Sequence, residues 1–389
     1  MCPVCNSRDF SVFIDIPGVP ILCNVFWKTR EEALNAPKGS ITLAFCGFCG
    51  HIFNVAFDPD LMKYDQDYEN SLHFSPRFQE YAISLAERLI QAYDLHHKDI
   101  IEVGCGKGDF LTMLCERGQN RGIGFDPSYM DGRIDREFDR NITIVRDFYS
   151  ERYSHYSADM ICCRHVLEHI QYPREFIKTV RRAINDRLNT IVFFEVPNVI
   201  FTLKDLGIWD LIYEHCGYFS EESLSYLFES CGFTMLSVKD AFGGQFLCID
   251  ALPVSDKRDV IENQRYNKEQ IATYVSAFST KYYGKISEWR QKLEETARDK
   301  KRIVLWGAGS KGVTFLNVLN DQSRDLEYIV DVNPFKQGMY IGGTGQQIVS
   351  PEFLREYQPD IILVMNPVYR DEIQHMVKSM NVECNFADV

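Results

Sequence analysis

Hydrophobic and polar positions predict an alternation of strands and helices over most of the chain. Short apolar runs are followed by stretches with apolar residues three and four positions apart, which is the period of an amphipathic helix. Five such runs cover residues 100–103, 122–126, 141–146, 158–164 and 189–196. Two later runs, 233–239 and 245–251, are joined through two glycines with no helix between them. Five β–α units followed by a hairpin differ from the dinucleotide-binding topology, in which the strands continue in parallel.

The alternation begins again at residue 300. Gly307, Gly309 and Gly312 form a complete G-x-G-x-x-G motif between a predicted strand and a predicted helix, and strands are predicted at 328–331 and 360–366. Only 90 residues remain, about half of a dinucleotide-binding domain. Three interpretations stay open for this unit: binding of NAD, binding of another nucleotide's phosphates, and a degenerate structural repeat.

Two segments outside these units have helical periodicity. The first, residues 60–98, contains a flap (residues 64–76) rich in aromatic and polar side chains, which is either an exposed loop or a cover over an active site. The second, residues 254–299, predicts a linking helix that serves as scaffold. Its apolar stripe consists of Tyr274, Phe278, Tyr282 and Ile286.

Residues 100–111 carry the first candidate chemistry. An apolar strand ends at Glu102 and breaks into Gly104-Cys-Gly-Lys-Gly108 before a helical pattern. Glycines allow a ligand to approach the backbone closely, and the N-terminus of a helix offers free N–H groups. Asp126 follows about twenty residues later, where a ribose-binding carboxylate is expected. We therefore predict a nucleotide-binding turn.

The N-terminal segment predicts a metal site. Cys2-x-x-Cys5 and Cys46-x-x-Cys49 supply four thiolates, which suit tetrahedral Zn²⁺ in a closed, structural site. The long spacer predicts a loop-rich zinc-binding domain over residues 1–60 in which the metal replaces part of the core. Cys23 and His51 are alternative ligands.

Charge and hydropathy exclude several classes of function. The net charge of −13 argues against nucleic acid as the main partner. Because no apolar run reaches eighteen residues, we expect no membrane span. The N-terminus has no secretory signal pattern, so we expect a cytoplasmic protein.

Residues 100–251 resemble the class I S-adenosylmethionine-dependent methyltransferases. The resemblance implies a Rossmann-like α/β fold and a methyl-donor site. Its residues would be Glu102, Gly104, Gly106 and Gly108 in the first motif, Asp126 at the ribose, Asp147 and Phe148 at the adenine, and Arg164 and His165 after the fourth strand. His165-x-x-Glu168-His169 also spells an inverted zinc-peptidase motif, but it lies within this methyltransferase pattern.

The whole chain resembles the nucleotide-sugar C-methyltransferases, similar to those that act on C-3 of dTDP-4-keto-deoxysugars. These combine a zinc-binding domain, a methyltransferase domain and a small C-terminal Rossmann-like domain. The resemblance implies domains at 1–60, 61–253 and 300–389, with the helical linker at 254–299. It also implies a small-molecule substrate, a nucleotide-diphosphate sugar, bound by a monomer or homodimer.

The resemblance also assigns the reacting groups. His215 would remove a proton beside the substrate ketone, with Glu214 orienting it and Tyr213 or a flap tyrosine, Tyr68 or Tyr64, hydrogen-bonding the enolate. The substrate would be held by Tyr64, Asn198, Tyr218, Gly307, Gly309, Ser310, Lys311, Asp331, Asn333 and Lys336. Two alternatives remain open. One is an O-methyltransferase acting on a small molecule or glycan, and the other is a non-catalytic protein that binds NAD or a nucleotide sugar.

Overall fold

A computed structural model describes residues 1–62, 68–129, 141–255, 268–323 and 326–389. Tyr64 lies outside these residues. The strands are β1 Phe10–Pro20, β2 Lys38–Cys46, β3 Ile52–Asn54, β4 Asp99–Val103, β5 Arg121–Phe125, β6 Ile142–Val145, β7 Met160–Arg164, β8 Ile191–Pro197, β9 Gly217–Tyr218, β10 Phe233–Ala241, β11 Phe246–Pro253, β12 Ile303–Trp306, β13 Tyr328–Val330, β14 Gln347–Val349, β15 Ile361–Val364 and β16 Asn385–Asp388. The helices are α1 Arg30–Leu34, α2 Pro76–Tyr93, α3 Asp109–Gly118, α4 Pro173–Ile184, α5 Val199–Lys204, α6 Glu221–Ser230, α7 Lys268–Arg298, α8 Ser310–Leu319, α9 Leu354–Tyr357 and α10 Arg370–Ser379.

The central sheet has the strand order β10-β11-β8-β7-β4-β5-β6. Strands β4 to β8 pair in parallel, whereas β10 and β11 form an antiparallel hairpin whose second strand pairs with β8. The predicted α/β class and the terminal hairpin are therefore confirmed. Because the parallel strands have a common direction, their carboxyl ends lie along one edge, where α/β proteins bind ligands.

The N-terminal sheet has the order β1-β2-β3-β9 and is antiparallel. Its last strand, β9, comes from residues 217–218, far along the chain, and pairs Tyr218 with Ile52. A two-residue strand has no periodicity to detect, so the sequence did not predict it. This pairing joins the cysteine-rich segment to the loop that carries His215.

The C-terminal sheet is parallel and has the order β14-β13-β12-β15-β16. Strands β12, β13 and β15 were predicted, and β14 and β16 were not. Strand β14 is three residues long, and β16 exposes both of its ends. Neither therefore gives the continuous apolar run that indicates a buried parallel strand.

The predicted helix over 60–98 is shorter in the structure. Ser75 accepts a hydrogen bond from the N–H of Phe78 and caps α2, and Pro76 occupies the first turn. Both are favourable at a helix start. Asp94 ends the helix in the left-handed conformation. Residues 68–75 consequently lie outside the helix and are available to line a cavity.

The linking helix α7 packs as a scaffold. Its buried stripe includes Phe278, Tyr282 and Ile286, as predicted, but continues to Trp289 and Leu293. These residues join one apolar cluster with side chains of the N-terminal and C-terminal sheets. None of the helices among the described residues combines the length and apolarity needed to cross a membrane.

Polar contacts connect the C-terminal unit to the central unit. Gln245 and Asn366 exchange two side-chain hydrogen bonds of 2.8 and 2.9 Å. Glu372 accepts a hydrogen bond of 2.7 Å from the hydroxyl of Ser75. Asn333 donates to Glu69 at 3.1 Å. These contacts surround the cavity described next.

Candidate active site

A cavity of about 810 Å³ lies where the carboxyl ends of the central and C-terminal strands face each other. Both the first glycine loop (residues 104–108) and the second glycine loop (residues 307–312) contribute to its wall, and His215 lines it as well. A volume in this range is typical of ligand sites. The arrangement therefore offers two nucleotide-binding turns to one enclosed space.

The first glycine loop has the form of a ligand cradle. Gly104 and Gly106 have positive φ angles of 71° and 56°. A Cβ at Gly104 would meet Val166 Cγ2 at 2.1 Å, whereas a Cβ at Gly106 would meet nothing within 4 Å. Gly106 thus keeps open space beside the backbone, as a bound cofactor requires. Gly108 does not line the cavity; it is the N-cap of α3.

Asp126 fixes this loop from the end of the neighbouring strand. Its Oδ2 accepts a hydrogen bond from Gly106 N–H at 2.9 Å, and its Oδ1 accepts from the Ser128 hydroxyl at 2.6 Å. Glu102 lies beneath the loop. Burial raises the pKa of Glu102 to about 8, and its Oε2 has no hydrogen-bond partner among the described residues. Both carboxylates line the cavity.

Arg164, His165 and Glu195 form a buried charged group at the ends of β7 and β8. Arg164 donates to Glu195 Oε1 through Nε at 3.0 Å and Nη2 at 2.8 Å. His165 Nε2 lies 2.9 Å from the same oxygen. Burial opposes the charge on His165, but the carboxylates of Glu168 and Glu195 outweigh it and raise its pKa to about 9. Arg164 and His165 line the cavity.

Asp147 and Phe148 extend the cavity at the end of β6. Asp147 accepts hydrogen bonds from Tyr153 at 2.6 Å and from Phe148 N–H at 2.8 Å. The hydrogen bond from Tyr153 lowers the pKa of Asp147. Phe148 is 63% exposed although it is a large apolar residue. An exposed ring at a cavity wall provides a surface for an aromatic ligand group.

Glu214 and His215 follow each other in sequence but face different partners. The Glu214 carboxylate accepts hydrogen bonds from the Tyr68 hydroxyl, at 2.5 Å, and from Cys23 N–H. The prediction that Glu214 orients His215 is therefore wrong, because both oxygens of its carboxylate are engaged by Tyr68 and Cys23. Burial raises the pKa of Glu214, whereas burial and His169 lower the pKa of His215 to about 3.

Besides Gly108, two predicted site residues do not line the cavity. Tyr213 is fully buried, packs against Phe57, and accepts a hydrogen bond from Asp58 N–H at 2.9 Å. Asn198 caps α5 through Ile200 N–H and donates to Asp240 at 3.0 Å. Both side chains are therefore structural, and the predictions that they contact substrate are wrong. Tyr218 lines the cavity, but its hydroxyl donates to the Ile212 carbonyl at 3.1 Å.

Sequence analysis did not assign Glu168 and His169 to the site. Both line the cavity, and with His215 they form a cluster in which one donor atom of each residue lies within 4.8 Å of the others. The sequence feature that could have identified Glu168 and His169 is their position. They follow β7 directly, at the edge of the sheet where side chains of an α/β protein meet ligands.

The second glycine loop repeats the hydrogen bonding of the first. Asp331 Oδ2 accepts from Ala308 N–H at 2.8 Å, and Lys336 donates to the Ala308 carbonyl at 3.2 Å. A Cβ at Gly312 would lie 2.1 Å from the Gly307 carbonyl oxygen, so this position requires glycine. The loop begins α8, whose first N–H groups are available to an anion. The cavity-lining residues predicted here are Gly307, Gly309, Ser310, Lys311, Asp331, Asn333 and Lys336.

The four cysteines of the N-terminal segment converge. The sulfur atoms of Cys2, Cys5, Cys46 and Cys49 all lie within 4.8 Å of one another. Cys2 and Cys49 are 3.6 Å apart, and Cys5 and Cys46 are 3.5 Å apart. Four sulfurs bound at about 2.3 Å around one tetrahedral ion would be nearly this far from each other. The donor set therefore fits zinc.

Comparisons with known proteins agree with this geometry. The family model described as "Methyltransferase domain" matches residues 76–238, and the model described as "C-methyltransferase C-terminal domain" matches residues 256–385. The chain belongs to the S-adenosylmethionine-dependent C-methyltransferases. It is also 25% identical to the C-methyltransferase NovU of Streptomyces niveus, over 96% of this chain and 90% of that protein.

Two of the solved structures with partial similarity to this chain are described as methyltransferases. The dimethyltransferase RosA of Streptomyces davawensis is 15% identical and aligns over 46% of this chain and 56% of its own, with a TM-score of 0.38. The magnesium protoporphyrin IX methyltransferase ChlM of Synechocystis PCC 6803 is 14% identical and aligns over 46% and 84%, with a TM-score of 0.36.

The C-methyltransferase therefore uses S-adenosylmethionine as its methyl donor. The first glycine loop fits this cofactor because Gly106 leaves the backbone open toward the cavity. The wall beside that loop carries an acid, Asp126, and an exposed ring, Phe148. These side chains offer a hydrogen-bond acceptor and a stacking surface, which are the groups that a nucleoside requires.

Proposed function

We propose that this C-methyltransferase methylates the carbon next to the ketone of a keto-deoxysugar carried on a nucleoside diphosphate. One observation carries the proposal. A single cavity has a glycine loop in each of two walls, with His215 also in its lining. A substrate that reacts at one loop and carries its own diphosphate would use the second loop, whereas a small phenol or glycan would not.

His215 acts as the general base in this proposal. Burial and the neighbouring His169 keep its pKa near 3, so the imidazole is neutral at physiological pH and can accept a proton. Loss of a proton beside the ketone converts that carbon into a nucleophile. S-adenosylmethionine supplies an electrophilic methyl group when bound. Tyr68 lines the same cavity, and because its hydroxyl donates its proton to Glu214, it faces the sugar as a hydrogen-bond acceptor.

The second glycine loop binds the diphosphate in this proposal. The N-terminus of α8 presents backbone N–H groups, and Lys311 lines the cavity one residue after Ser310. Asp331 and Lys336 are buried and hydrogen-bonded within the loop region, so they shape it rather than supply charge to the ligand. Asn333 donates a hydrogen bond of 3.1 Å to Glu69 of the flap, and this contact supports the loop region.

We also propose that Cys2, Cys5, Cys46 and Cys49 hold a structural Zn²⁺. The support is the donor chemistry and the separation of the four sulfurs described above. A closed four-thiolate site leaves no position for substrate, so this ion would stabilise the N-terminal sheet and take no part in methyl transfer.

The proposed function is tested by product analysis. The purified protein is incubated with S-adenosyl-[methyl-¹³C]methionine and keto-deoxysugars linked to dTDP, UDP, GDP or CDP. We expect one nucleotide series to give a product whose labelled methyl group is bonded to carbon in the NMR spectrum. A methyl group on oxygen would identify an O-methyltransferase instead. Tight binding of NAD without any methyl transfer would contradict the proposal altogether.

A further inference from the structure

Glu168 is a buried carboxylate that neither glycine loop uses. It is 2% exposed and lies on the single turn after β7, directly before His169. Its Oε1 is 3.7 Å from His165 Nδ1, and its Oε2 has no hydrogen-bond partner among the described residues. A buried oxygen without a partner is costly unless a nearby charge or ligand compensates for it.

The two imidazoles of the cluster lie next to this carboxylate. The rings of His169 and His215 are 4.9 Å apart and nearly perpendicular. His169 Nδ1 lies 3.1 Å from the Glu214 carbonyl oxygen, which can only accept, so the proton of His169 is held on Nδ1. The ring of Tyr218 packs 5.8 Å from that of His215 on another side.

Charges face His215 from several elements. Glu168 and His169 come from the turn after β7, His165 comes from the end of that strand, and Lys311 comes from the start of α8. Lys311, His165 and His169 disfavour protonation of His215. The carboxylate of Glu168 favours protonation of His215. Glu214 directs its carboxylate toward Tyr68 and Cys23 instead. Glu168 is therefore the carboxylate that can offset a positive charge at His215.

A metal ion is the other ligand that two histidines and a carboxylate attract. Donors held 2.0 to 2.2 Å from one ion would lie about 3 to 3.5 Å from each other. The donor atoms of Glu168, His169 and His215 all lie within 4.8 Å of one another. This proximity also suits charge compensation between a carboxylate and two imidazoles, and elemental analysis of the wild type and a Glu168 variant distinguishes the two roles.

We propose that Glu168 is the positioning residue of the base: its carboxylate lies beside the His169–His215 pair and stabilises the positive charge that His215 acquires with the substrate's proton. The inference rests on the proposed function. In the step it supports, the C–H bond beside the ketone breaks and the proton moves to a ring nitrogen of His215. The electron pair forms the enolate, which then bonds to the donor's methyl group as the carbon–sulfur bond breaks.

The central test is the variant Glu168→Gln, which keeps the shape and removes the charge. We expect kcat to fall by about 10- to 100-fold, less than the factor of about 100 to 10,000 for loss of a base. The KM values should change little.

Proton abstraction can be measured without methyl transfer. With S-adenosylhomocysteine present, the nucleotide-linked keto-deoxysugar that the product analysis selects should exchange the hydrogen beside its ketone for deuterium in D₂O, followed in an NMR time course. Glu168→Gln should slow this exchange by the same factor as kcat. The matched control Glu175→Gln changes an exposed glutamate at the start of α4 and should match the wild type.

Three outcomes would overturn the assignment. Glu168→Gln with a wild-type exchange rate would reduce Glu168 to a structural role. A metal ion bound in addition to zinc by the wild type and lost in Glu168→Gln, measured by elemental analysis, would make Glu168 a ligand. If the glutamine variant does not fold, Glu168→Asp keeps the charge, and exchange in Glu168→Asp as slow as that expected of Glu168→Gln would contradict the assignment. Absence of exchange in the wild type would instead contradict the proposed function.

Discussion

The Tyr68 hydroxyl donates a hydrogen bond of 2.5 Å to Glu214 Oε2 across 146 residues of sequence. The other oxygen of Glu214 accepts from Cys23 N–H in the N-terminal segment. The buried carboxylate of Glu214 therefore links the flap to the segment after β1. The neighbouring residue, His215, lies beside Glu168 and His169 instead. This explains how two adjacent residues serve two different walls of the cavity.

Tyr68→Phe should destabilise the protein and slow the reaction. The substitution removes one hydrogen-bond donor from a fully buried carboxylate, which typically costs about 1 to 3 kcal/mol of unfolding free energy. Denaturation in urea measures the loss, and steady-state kinetics measures kcat. The control Tyr283→Phe removes the hydroxyl of a tyrosine that is 60% exposed on α7, and it should change stability by less than about 0.5 kcal/mol. Equal effects of the two substitutions would contradict this role of Tyr68.

His215→Ala should lower kcat by about 100- to 10,000-fold, because a positioned base contributes that much. Affinity for S-adenosylhomocysteine, measured by calorimetry, should stay at the wild-type value, since the first glycine loop is unchanged. His96→Ala removes an exposed histidine after α2 and should leave both values unchanged. Near-normal turnover of His215→Ala would show that another group takes the proton.

The sequence predicts features that depend on local pattern. The glycine loops, Asp126 and the terminal hairpin each follow from residue types at fixed spacing, and the structure places them as expected. Asp126 and Asp331 each accept a hydrogen bond from a backbone N–H of a glycine loop. The two hydrogen bonds are alike because each acid directly follows a strand that is adjacent to the strand leading into the loop.

The sequence does not show which way a buried polar side chain faces. Glu214 and His215 are adjacent, and only the packing of Cys23 and Tyr68 around Glu214 reveals that its carboxylate points away from His215. Glu168 became a candidate only when β7 and β9 brought it beside His215. Such contacts depend on tertiary arrangement, which residue spacing does not encode.

Lys311→Met should weaken binding of the nucleotide sugar. Lys311 lines the cavity in the second glycine loop, where its charge pairs with Asp210. Hydrogen bonds to charged groups contribute about 1.5 to 3 kcal/mol, so KM for the sugar should rise about 10- to 100-fold. Affinity for S-adenosylhomocysteine should not change. Lys301→Met removes an exposed cation of the same unit and serves as the control. An unchanged KM in Lys311→Met would exclude the Lys311 side chain as a contact of the diphosphate.

Cys46→Ser should remove bound zinc. Elemental analysis should find one zinc per wild-type chain and none in the variant. Stability should fall by about 3 kcal/mol or more, because small zinc domains bind their metal with about 10 to 16 kcal/mol. Since β3 pairs with β9, just after His215, kcat should fall as well. Cys384→Ser, in the C-terminal unit, should keep the zinc. A wild-type protein without zinc would contradict the proposal.

His165 should make stability depend on alkaline pH. Its pKa is about 9 in the folded protein and about 6.5 when unfolded. Because the folded value is the higher, the stabilisation is complete below about pH 6.5 and is lost as the pH rises through 9. The loss should be about 2 to 3 kcal/mol, at about 1.4 kcal/mol per pH unit and reduced for partial exposure. Urea denaturation from pH 6 to pH 10 measures it. His165→Gln should flatten that slope, whereas His375→Gln, at an exposed position on α10, should not. The same slope in His165→Gln and in the wild type would assign the pH dependence to another group.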